Sequence, residues 1–250
     1  MENNLFNSGT YYDLFYSDKN YEKEANYIHE KLLKYNVSCK TILELGCGTG
    51  KHALTLSKLG YKIVGIEQSK SMINSAQKIK NFECREGDIR TTKIKEKFDS
   101  VISLFHVISY QVTNESLQDV FRTAYSSLKK NGLFLFDVWY APAVIHQKPE
   151  LRIKKISTKT HTITRIADPE LLVNNNQVNV KYTFYDFNNI SNKFKITEEV
   201  HPMRFFSIPE LDFFANKAGF NIIETQELIT GKQPSINTWG ICFILKKNNG

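Results

Sequence analysis

Three glycines alternate along the chain directly after an apolar run, and an acid lies just ahead of them. Gly46, Gly48 and Gly50 follow the stretch 41–45, which contains Glu44. Glycine adopts positive φ without steric cost and lets the backbone lie close against a ligand. The apolar run is typical of a buried parallel strand, and the residues after the glycines have helical spacing. The strand, the glycine turn and the helix N-terminus together predict a cofactor-binding cradle.

The spacing of the glycines distinguishes two kinds of cofactor. The dinucleotide fingerprint G-x-G-x-x-G requires a third glycine, but Lys51 occupies that position here. The pattern E-x-G-x-G-x-G instead resembles motif I of the class I S-adenosylmethionine (SAM)-dependent methyltransferases. The resemblance implies that the turn lies along the amino-acid and ribose parts of SAM, and that Glu44 meets the ammonium group. The cofactor contacts it implies in this stretch are Glu44, Gly46, Cys47, Gly48 and Gly50.

Acids end the next two predicted strands. Glu67 ends the strand at 61–67, where an acid binds both ribose hydroxyls in nucleotide-binding α/β units. In class I methyltransferases the acid after the third strand accepts a hydrogen bond from the adenine amino group, and the next residue lines the ring. This resemblance points to Asp88 and Ile89. The remaining predicted cofactor contacts are Gln68, Met72, Leu104 and Phe105, with Tyr16 and Tyr21 from the N-terminal segment.

Candidate catalytic side chains follow the fourth predicted strand, at 98–106. Ligands of an open α/β sheet bind beyond the carboxyl ends of its strands, so we expect His106 and Tyr110 near the transferred methyl group. Tyr12 is a third candidate. No Asn/Asp-Pro-Pro-Tyr sequence occurs, which argues against an amino-directed methyltransferase of nucleic-acid bases. The predicted substrate contacts, which include the end of the fifth strand, are Tyr12, Tyr110, Asp137 and Trp139.

The segment 5–21 is dense in aromatic side chains and precedes the first strand. Two interpretations stay open: a helix packed on the core, or a lid whose phenol groups reach the active site. A phenol has an apolar body and a polar tip, which suits the rim of a pocket.

Alternating strands and helices predict an α/β fold. Residues 151–205 interrupt this alternation with short alternating apolar runs between Asn-rich turns, which predicts an inserted antiparallel β-layer. We therefore expect a core at 1–150 and 206–250, with an aromatic leader at 1–21, and an inserted β subdomain at 151–205. The layer either covers the substrate side of the pocket or forms the surface of a possible homodimer.

The composition of the chain limits which binding partners and which cellular compartment we expect. The net charge is +7 over 250 residues, with lysines spread along the chain, which favours a small anionic substrate over nucleic acid. No apolar run approaches the roughly 18 residues that span a bilayer, and no signal peptide is recognisable, so we expect no membrane partner. The four scattered cysteines lack C-x-x-C spacing, which favours reduced thiols in the cytoplasm and no metal site.

Within the class I methyltransferases, the chain is most similar to the nucleotide-linked amino-sugar N-methyltransferases that make the dimethylamino groups of desosamine and mycaminose. The resemblance implies a Rossmann-like seven-stranded sheet with a reversed final hairpin, leader tyrosines that close over SAM and substrate, and Tyr110 facing the substrate. The segments that carry it are 12–16, 21–25, 101–105, Tyr110, Trp139 and 205–206.

Three stretches on the substrate side depart from that family. The stretch 235–240 lacks the arginine that reaches a phosphate there. The family's Glu-Pro-Trp-Trp is Asp-Val-Trp-Tyr at 137–140, and a serine pair is replaced by His106 and Val107. The cofactor is therefore better supported than the sugar.

The expected reaction moves a methyl group from SAM, leaving S-adenosylhomocysteine (SAH), to nitrogen or oxygen of a small polar acceptor. We expect a nucleotide-activated or phosphorylated sugar-type precursor of a surface polysaccharide or glycoconjugate. A hydroxyl acceptor needs a stronger base than an amine, and His106 keeps O-methylation open. Further alternatives are another capsule or secondary-metabolite precursor, RNA methylation, an NAD-dependent oxidoreductase and a non-catalytic SAM-binding protein.

Overall fold

The computed structural model describes residues 9–76 and 78–248, so residues 1–8 of the predicted leader lie outside the described residues. The chain forms seven α-helices within these ranges, with 3₁₀ helices at Val107–Tyr110 and Val173–Asn175. The α-helices are α1 (Gly9–Phe15), α2 (Tyr21–Tyr35), α3 (Lys51–Lys58), α4 (Lys70–Ser75), α5 (Asn114–Ser127), α6 (Ala141–Gln147) and α7 (Ile208–Lys217).

The strands comprise a central sheet and an antiparallel layer. They are β1 (Thr41–Leu45), β2 (Lys62–Glu67), β3 (Phe82–Glu86), β4 (Phe98–Ser103), β5 (Leu128–Tyr140), β6 (Arg152–Ser157), β7 (His161–Leu172), β8 (Gln177–Asn188), β9 (Lys193–Phe206), β10 (Phe220–Glu227) and β11 (Gly240–Lys247).

The central sheet has the order β3-β2-β1-β4-β5-β11-β10. Its first five strands are parallel, and β11 runs antiparallel to both β5 and β10. The sheet is therefore seven-stranded and ends in a reversed hairpin, which confirms the predicted fold class.

Both faces of this sheet are covered by apolar side chains. Along β5, Phe134 and Phe136 pack on one face with Phe121 of α5, whereas Leu133 and Leu135 pack on the other. This alternation follows from the two-residue period of a strand. Burial on both faces explains why the central strands have near-continuous apolar runs.

The antiparallel layer contains β6 to β9, and β9 pairs in parallel with the end of β5 through Trp139–Phe205 and Tyr140–Phe206. Its strands run from residue 152 to 206, close to the predicted segment 151–205. The division into a core and a separate inserted subdomain stays a prediction. Because β9 joins the sheet at the carboxyl end of β5, the layer lies beside the edge where ligands of such sheets bind.

Asp99 connects the start of β4 to the start of β1. Its Oδ2 accepts from the backbone amides of Lys40 and Thr41 at 3.0 and 2.9 Å, and its Oδ1 lies 2.7 Å from Lys129 Nζ. Burial acts to raise the pKa of Asp99, but hydrogen bonds from Lys129 and Thr41 lower it to about 2. The ionised carboxylate therefore stabilises the folded chain.

We predict that Asp99→Asn lowers the free energy of unfolding at pH 7 by about 2 kcal/mol, because hydrogen bonds to an ionised acceptor are lost. Since folding depresses this pKa from 3.8 to about 2, the Asp99 contribution is full above pH 4 and is lost as the pH falls towards 2. Urea denaturation of both proteins across this range measures the difference. Asp119→Asn is the control, since Asp119 pairs with Arg122 at the surface; an equal effect of both changes would contradict the prediction.

Candidate functional site

The glycine turn between β1 and α3 has the backbone geometry that its sequence predicts. Gly46, Gly48 and Gly50 have φ values of +75°, +55° and +79°. A Cβ atom at Gly46 would lie 2.6 Å from Val107 Cγ1, whereas one at Gly48 would meet nothing nearer than Met72 Sδ at 3.8 Å. The turn therefore packs tightly at Gly46 and stays open above Gly48, where a ligand could lie against the backbone.

Glu44 is buried below this turn beside His52. Its Oε1 lies 3.5 Å from His52 Nδ1, and His52 Nε2 lies 2.7 Å from Glu24 Oε2. Burial acts to lower the pKa of His52, but its contacts with Glu24 and Glu44 raise it to about 9, so the ring is an imidazolium at neutral pH. Glu44 Oε2 is buried without a hydrogen-bond partner among the described residues. This oxygen is available to accept from a cationic group of a ligand.

Glu67 at the end of β2 lies against the same turn. Its Oε2 accepts from the Gly48 amide at 2.9 Å and its Oε1 from the Ser69 amide at 2.8 Å. Burial raises the pKa of this carboxyl group, against the effect of these hydrogen bonds. The structure thus brings Glu67 to the turn, with Met72 buried nearby and Gln68 exposed. Contact of Glu67, Gln68 and Met72 with a cofactor stays a prediction.

Asp88 follows β3 and engages Arg90. Arg90 Nε lies 2.9 Å from Asp88 Oδ1, and hydrogen bonding to Arg90 lowers the pKa of Asp88. Ile89 packs against the main core cluster. The predicted contacts of Asp88 with an adenine amino group and of Ile89 with the ring stay predictions, and Arg90 competes for the carboxylate.

Two consecutive non-glycine residues after β4 adopt left-handed backbone conformations. Phe105 and His106 have φ values of +63° and +61°, which cost of order 1–3 kcal/mol each and persist only where the surroundings impose them. The Phe105 ring is held edge-on by Tyr16 at 5.1 Å, Tyr12 at 6.3 Å and Tyr21 at 6.4 Å between centroids. Leu104 is buried just before them. Strained backbone of this kind is concentrated at functional sites.

His106 is held by Asp137. The His106 amide donates to Asp137 Oδ2 at 3.1 Å, and Nδ1 lies 2.7 Å from the same oxygen without hydrogen-bond alignment. Asp137 is fully buried, and Trp139 contacts the histidine ring edge-on at 6.1 Å. The predicted substrate contacts of Asp137 and Trp139 stay predictions, because in this structure both side chains face His106.

A small cavity of about 40 Å³ opens beyond the carboxyl end of β4. It brings together Tyr110, the α1 tyrosines Tyr12 and Tyr16, and side chains from the antiparallel layer. The sequence predicts both His106 and Tyr110 near the transferred methyl group; of the two, only Tyr110 is among the described residues that line this cavity. Those residues are Tyr12, Phe15, Tyr16, Tyr110, Arg165, Tyr182, Phe184 and His201.

Two phenols of this cavity, Tyr12 and Tyr110, are neutral over the physiological range. Burial raises the pKa of Tyr110 and of Tyr12 well above 10. Tyr110 Oη lies 2.9 Å from His201 Nδ1, so this phenol is connected to the antiparallel layer. The candidate catalytic roles of Tyr12, Tyr110 and His106 stay predictions.

Arg165 adds a positive charge that sequence reasoning missed. Its guanidinium carbon lies 4.9 Å from the Phe15 ring, 5.4 Å from Tyr16 and 5.3 Å from Tyr182. Its Nε is buried without a hydrogen-bond partner among the described residues. Its position within an alternating strand pattern carries no signal that distinguishes it from a surface arginine.

Helix α1 connects the glycine turn to the antiparallel layer. Asp13 accepts from Thr49 Oγ1 at 2.9 Å and lies 3.1 Å from Lys51 Nζ, next to the turn. At the other end, Lys154 Nζ donates to the Phe15 carbonyl at 2.7 Å. The described part of the leader is therefore packed over the cavity, and its movement as a lid stays a prediction.

Over the described residues, none of the helices combines the length and the apolar character that crossing a bilayer requires.

Residues 42–132 match a family model described as "Methyltransferase domain". A dTDP-3-amino-3,4,6-trideoxy-α-D-glucopyranose N,N-dimethyltransferase of Streptomyces venezuelae is 29% identical over 134 residues, covering 52% of this chain and 56% of that enzyme. The fold matches the crystal structure of a SAM-dependent methyltransferase from Clostridium acetobutylicum with a TM-score of 0.80 and 20% identity. This match covers 97% of this chain and 98% of that protein. It also matches a sugar N-methyltransferase from Streptoalloteichus with a TM-score of 0.81 and 19% identity. This match covers 95% of this chain and 93% of that enzyme.

We predict that Gly46→Ala is more destabilising than Gly60→Ala. Both glycines have positive φ, at +75° and +94°, but a Cβ at Gly60 would meet nothing within 4 Å. The backbone conformation costs about 1–2 kcal/mol in both variants, and collision with Val107 adds about 1–3 kcal/mol at Gly46. Chemical denaturation measures both losses, and Val107→Ala in the Gly46→Ala background recovers part of the difference. Equal losses at the two glycines would refute the close approach.

Proposed function

We propose that this chain, as a SAM-dependent methyltransferase, methylates the nitrogen of a small, polar, sugar-type acceptor that carries a phosphate or a nucleotide. The observation that carries this proposal is the cavity beyond β4, where the phenols of Tyr12 and Tyr110 meet the guanidinium of Arg165, whose Nε has no hydrogen-bond partner among the described residues. The relative from Streptomyces venezuelae is named for an acceptor of this chemistry, a dTDP-linked amino sugar.

The residues of the glycine turn fit SAM. The buried Glu44 Oε2 lacks a hydrogen-bond partner among the described residues, and an ammonium group would satisfy it. The backbone stays open above Gly48, and Glu67 lies where an acid binds ribose hydroxyls in related α/β units. When bound, SAM supplies a methyl group on a positively charged sulfur. Glu44 and Glu67 would hold the two ends of its polar part, with Asp88 and Ile89 beside the adenine as the sequence predicts.

The chemistry of the cavity favours a sugar with an anionic substituent. Phenol rings present apolar faces and polar tips, which suit the alternating apolar and hydroxyl faces of a sugar ring. Arg165 is flanked by aromatic rings on several sides, and a guanidinium recognises phosphate through a planar fork of donors. Arg165 thereby supplies the positive charge that the stretch 235–240 lacks. The net charge of +7 also favours an anionic acceptor.

Nitrogen is the preferred acceptor because the phenols that line the cavity are not strong bases. Tyr110 and Tyr12 are neutral phenols whose pKa burial raises, so neither is a strong base at neutral pH. An amine needs only to lose its proton to water or a weak base, whereas a hydroxyl acceptor requires a stronger one. The protein's main contribution is then to align the amine lone pair with the methyl–sulfur bond, and orientation of this kind contributes on the order of 7–11 kcal/mol.

O-methylation is the second candidate, and one observation favours it. His106 Nδ1 lies 2.7 Å from the fully buried Asp137, and a carboxylate-supported histidine is a common general base. The strained backbone at Phe105 and His106 would have to relax for this ring to reach the cavity.

We place this reaction in surface-polysaccharide or glycoconjugate synthesis in the cytoplasm, a compartment that suits four free cysteines. A homodimer stays a prediction.

We predict that the enzyme transfers methyl from labelled SAM to the amine of dTDP-3-amino-3,4,6-trideoxy-α-D-glucopyranose in preference to the matched 3-hydroxyl compound. Removing the nucleotide diphosphate should weaken turnover. Arg165→Gln should raise KM for the dTDP sugar by about tenfold or more, since a hydrogen bond to an ionised partner is worth about 1.5–3 kcal/mol. Mass spectrometry and steady-state kinetics measure both.

Arg122→Gln on α5 is the matched control, because its side chain is exposed and pairs with Asp119 at the surface. Methylation of the hydroxyl compound alone would favour the second candidate. Methylation of generic RNA, or an Arg165→Gln variant with unchanged KM, would contradict the proposed acceptor.

A further inference from the structure

Three side chains form a continuous hydrogen-bonded chain from the cavity into the interior. Tyr110 Oη lies 2.9 Å from His201 Nδ1, and His201 Nε2 lies 3.0 Å from Glu199 Oε2. Tyr110 and His201 line the cavity. Glu199 lies behind His201, and these two residues are 3% and 5% exposed. Glu199 and His201 are two residues apart on β9, so they share the face that packs against the 3₁₀ helix carrying Tyr110.

The chemistry of Glu199, His201 and Tyr110 determines which group donates and which accepts in each hydrogen bond. An ionised carboxylate can only accept hydrogen bonds, so Glu199 requires a proton on Nε2 of His201. In the neutral ring the other nitrogen is then an acceptor. Nδ1 therefore accepts from the Tyr110 hydroxyl, and Tyr110 itself lines the cavity.

We propose that Tyr110, His201 and Glu199 form a proton relay that receives the proton of the methyl acceptor. The inference rests on the proposed function and adds the residues that manage its proton. Tyr110 Oη accepts a hydrogen bond from the acceptor's N–H, which directs the nitrogen lone pair away from Tyr110 and towards the methyl donor.

The transfer step balances in atoms and charge. As the new C–N bond forms, the methyl–sulfur bond breaks and its electron pair stays on sulfur, which leaves SAH. The acceptor's proton passes to Tyr110 Oη while the Tyr110 proton passes to His201 Nδ1. The resulting imidazolium is stabilised by Glu199, which is a positioning residue because it contacts His201 and is not among the residues that line the cavity. Transfer of this proton from His201 to water then restores the starting protonation states.

The surroundings of His201 allow such a role. The Tyr182 ring on β8 contacts His201 edge-on at 4.9 Å between centroids and is neutral, because burial raises its pKa. Arg165 on β7 lies across the cavity and opposes a positive charge on His201, whereas Glu199 favours it. The titratable and charged groups that face this histidine or its cavity are Tyr12 and Tyr16 from α1, Tyr110, Arg165, Tyr182 and Glu199.

The proton positions can be tested without knowing the acceptor. We would label the histidine ring nitrogens with ¹⁵N, saturate the protein with SAH and assign His201 by the signals that His201→Gln removes. We expect a ring protonated on Nε2 at pH 7.5, and a smaller fraction protonated on Nε2 in Glu199→Gln, because a glutamine amide can donate to this nitrogen as well as accept from it. Glu198→Gln is the matched control. Glu198 lies next to Glu199 on β9 but on the exposed face of that strand, where it pairs with Lys181 of β8.

A His201 ring protonated on Nδ1 at pH 7.5 would overturn the relay. Equal changes of the His201 ¹⁵N signals in the Glu199→Gln and Glu198→Gln variants would also overturn it.

The kinetic experiment uses the dTDP-linked amino sugar as the acceptor. If the wild-type enzyme methylates it, His201→Gln should lower kcat by about 100-fold with KM within threefold, and Glu199→Asp should recover part of the activity that Glu199→Gln loses. Unchanged kcat in His201→Gln would also overturn the relay. If the wild-type enzyme does not methylate this sugar, the proposed acceptor is wrong, and the nitrogen shifts still decide the relay.

Discussion

The site depends on one backbone constraint, the run of positive φ values through Gly46, Gly48 and Gly50. Only glycine takes this conformation at low cost, and each position serves a different contact. Gly46 lets Val107 pack against the turn, and Val107 begins the 3₁₀ helix that carries Tyr110. The Gly48 amide holds Glu67 at 2.9 Å. The turn therefore positions both the acids expected to bind the cofactor and the phenol expected to meet the acceptor.

A second constraint is electrostatic. Glu44 and Glu24 lie on either side of His52, and buried carboxylates are tolerated only when they are paired. Glu24 pairs with both His52 and Lys19, whereas Glu44 pairs with His52 through Oε1 alone. Glu44 Oε2 has no hydrogen-bond partner among the described residues, and a ligand's ammonium group would satisfy it.

The sequence predicted the parts of the site that depend on local pattern, and it missed those that depend on long-range register. The alternating strands, the glycine turn and the acid at Glu67 follow from apolar runs and spacing within a few residues. Arg165 and His201 reach the cavity through the pairing of long antiparallel strands, whose register no short motif specifies. His106 was predicted to lie near the transferred methyl group, and this stays a prediction; in the structure, the backbone at Phe105 and His106 is left-handed and the His106 ring lies against Asp137. Such strain is imposed by packed aromatic rings that come from a distant part of the chain.

The central claim is that the glycine turn and the buried acids form a SAM site. Calorimetric titration with SAH, and with NAD in a parallel cell, tests it most directly when Glu44→Gln is included. The account predicts micromolar binding of SAH, no binding of NAD, and an affinity about tenfold or more lower in the variant, because an ionised acceptor for the ammonium group is lost. Binding of NAD, binding of neither ligand, or unchanged SAH affinity in Glu44→Gln would contradict it.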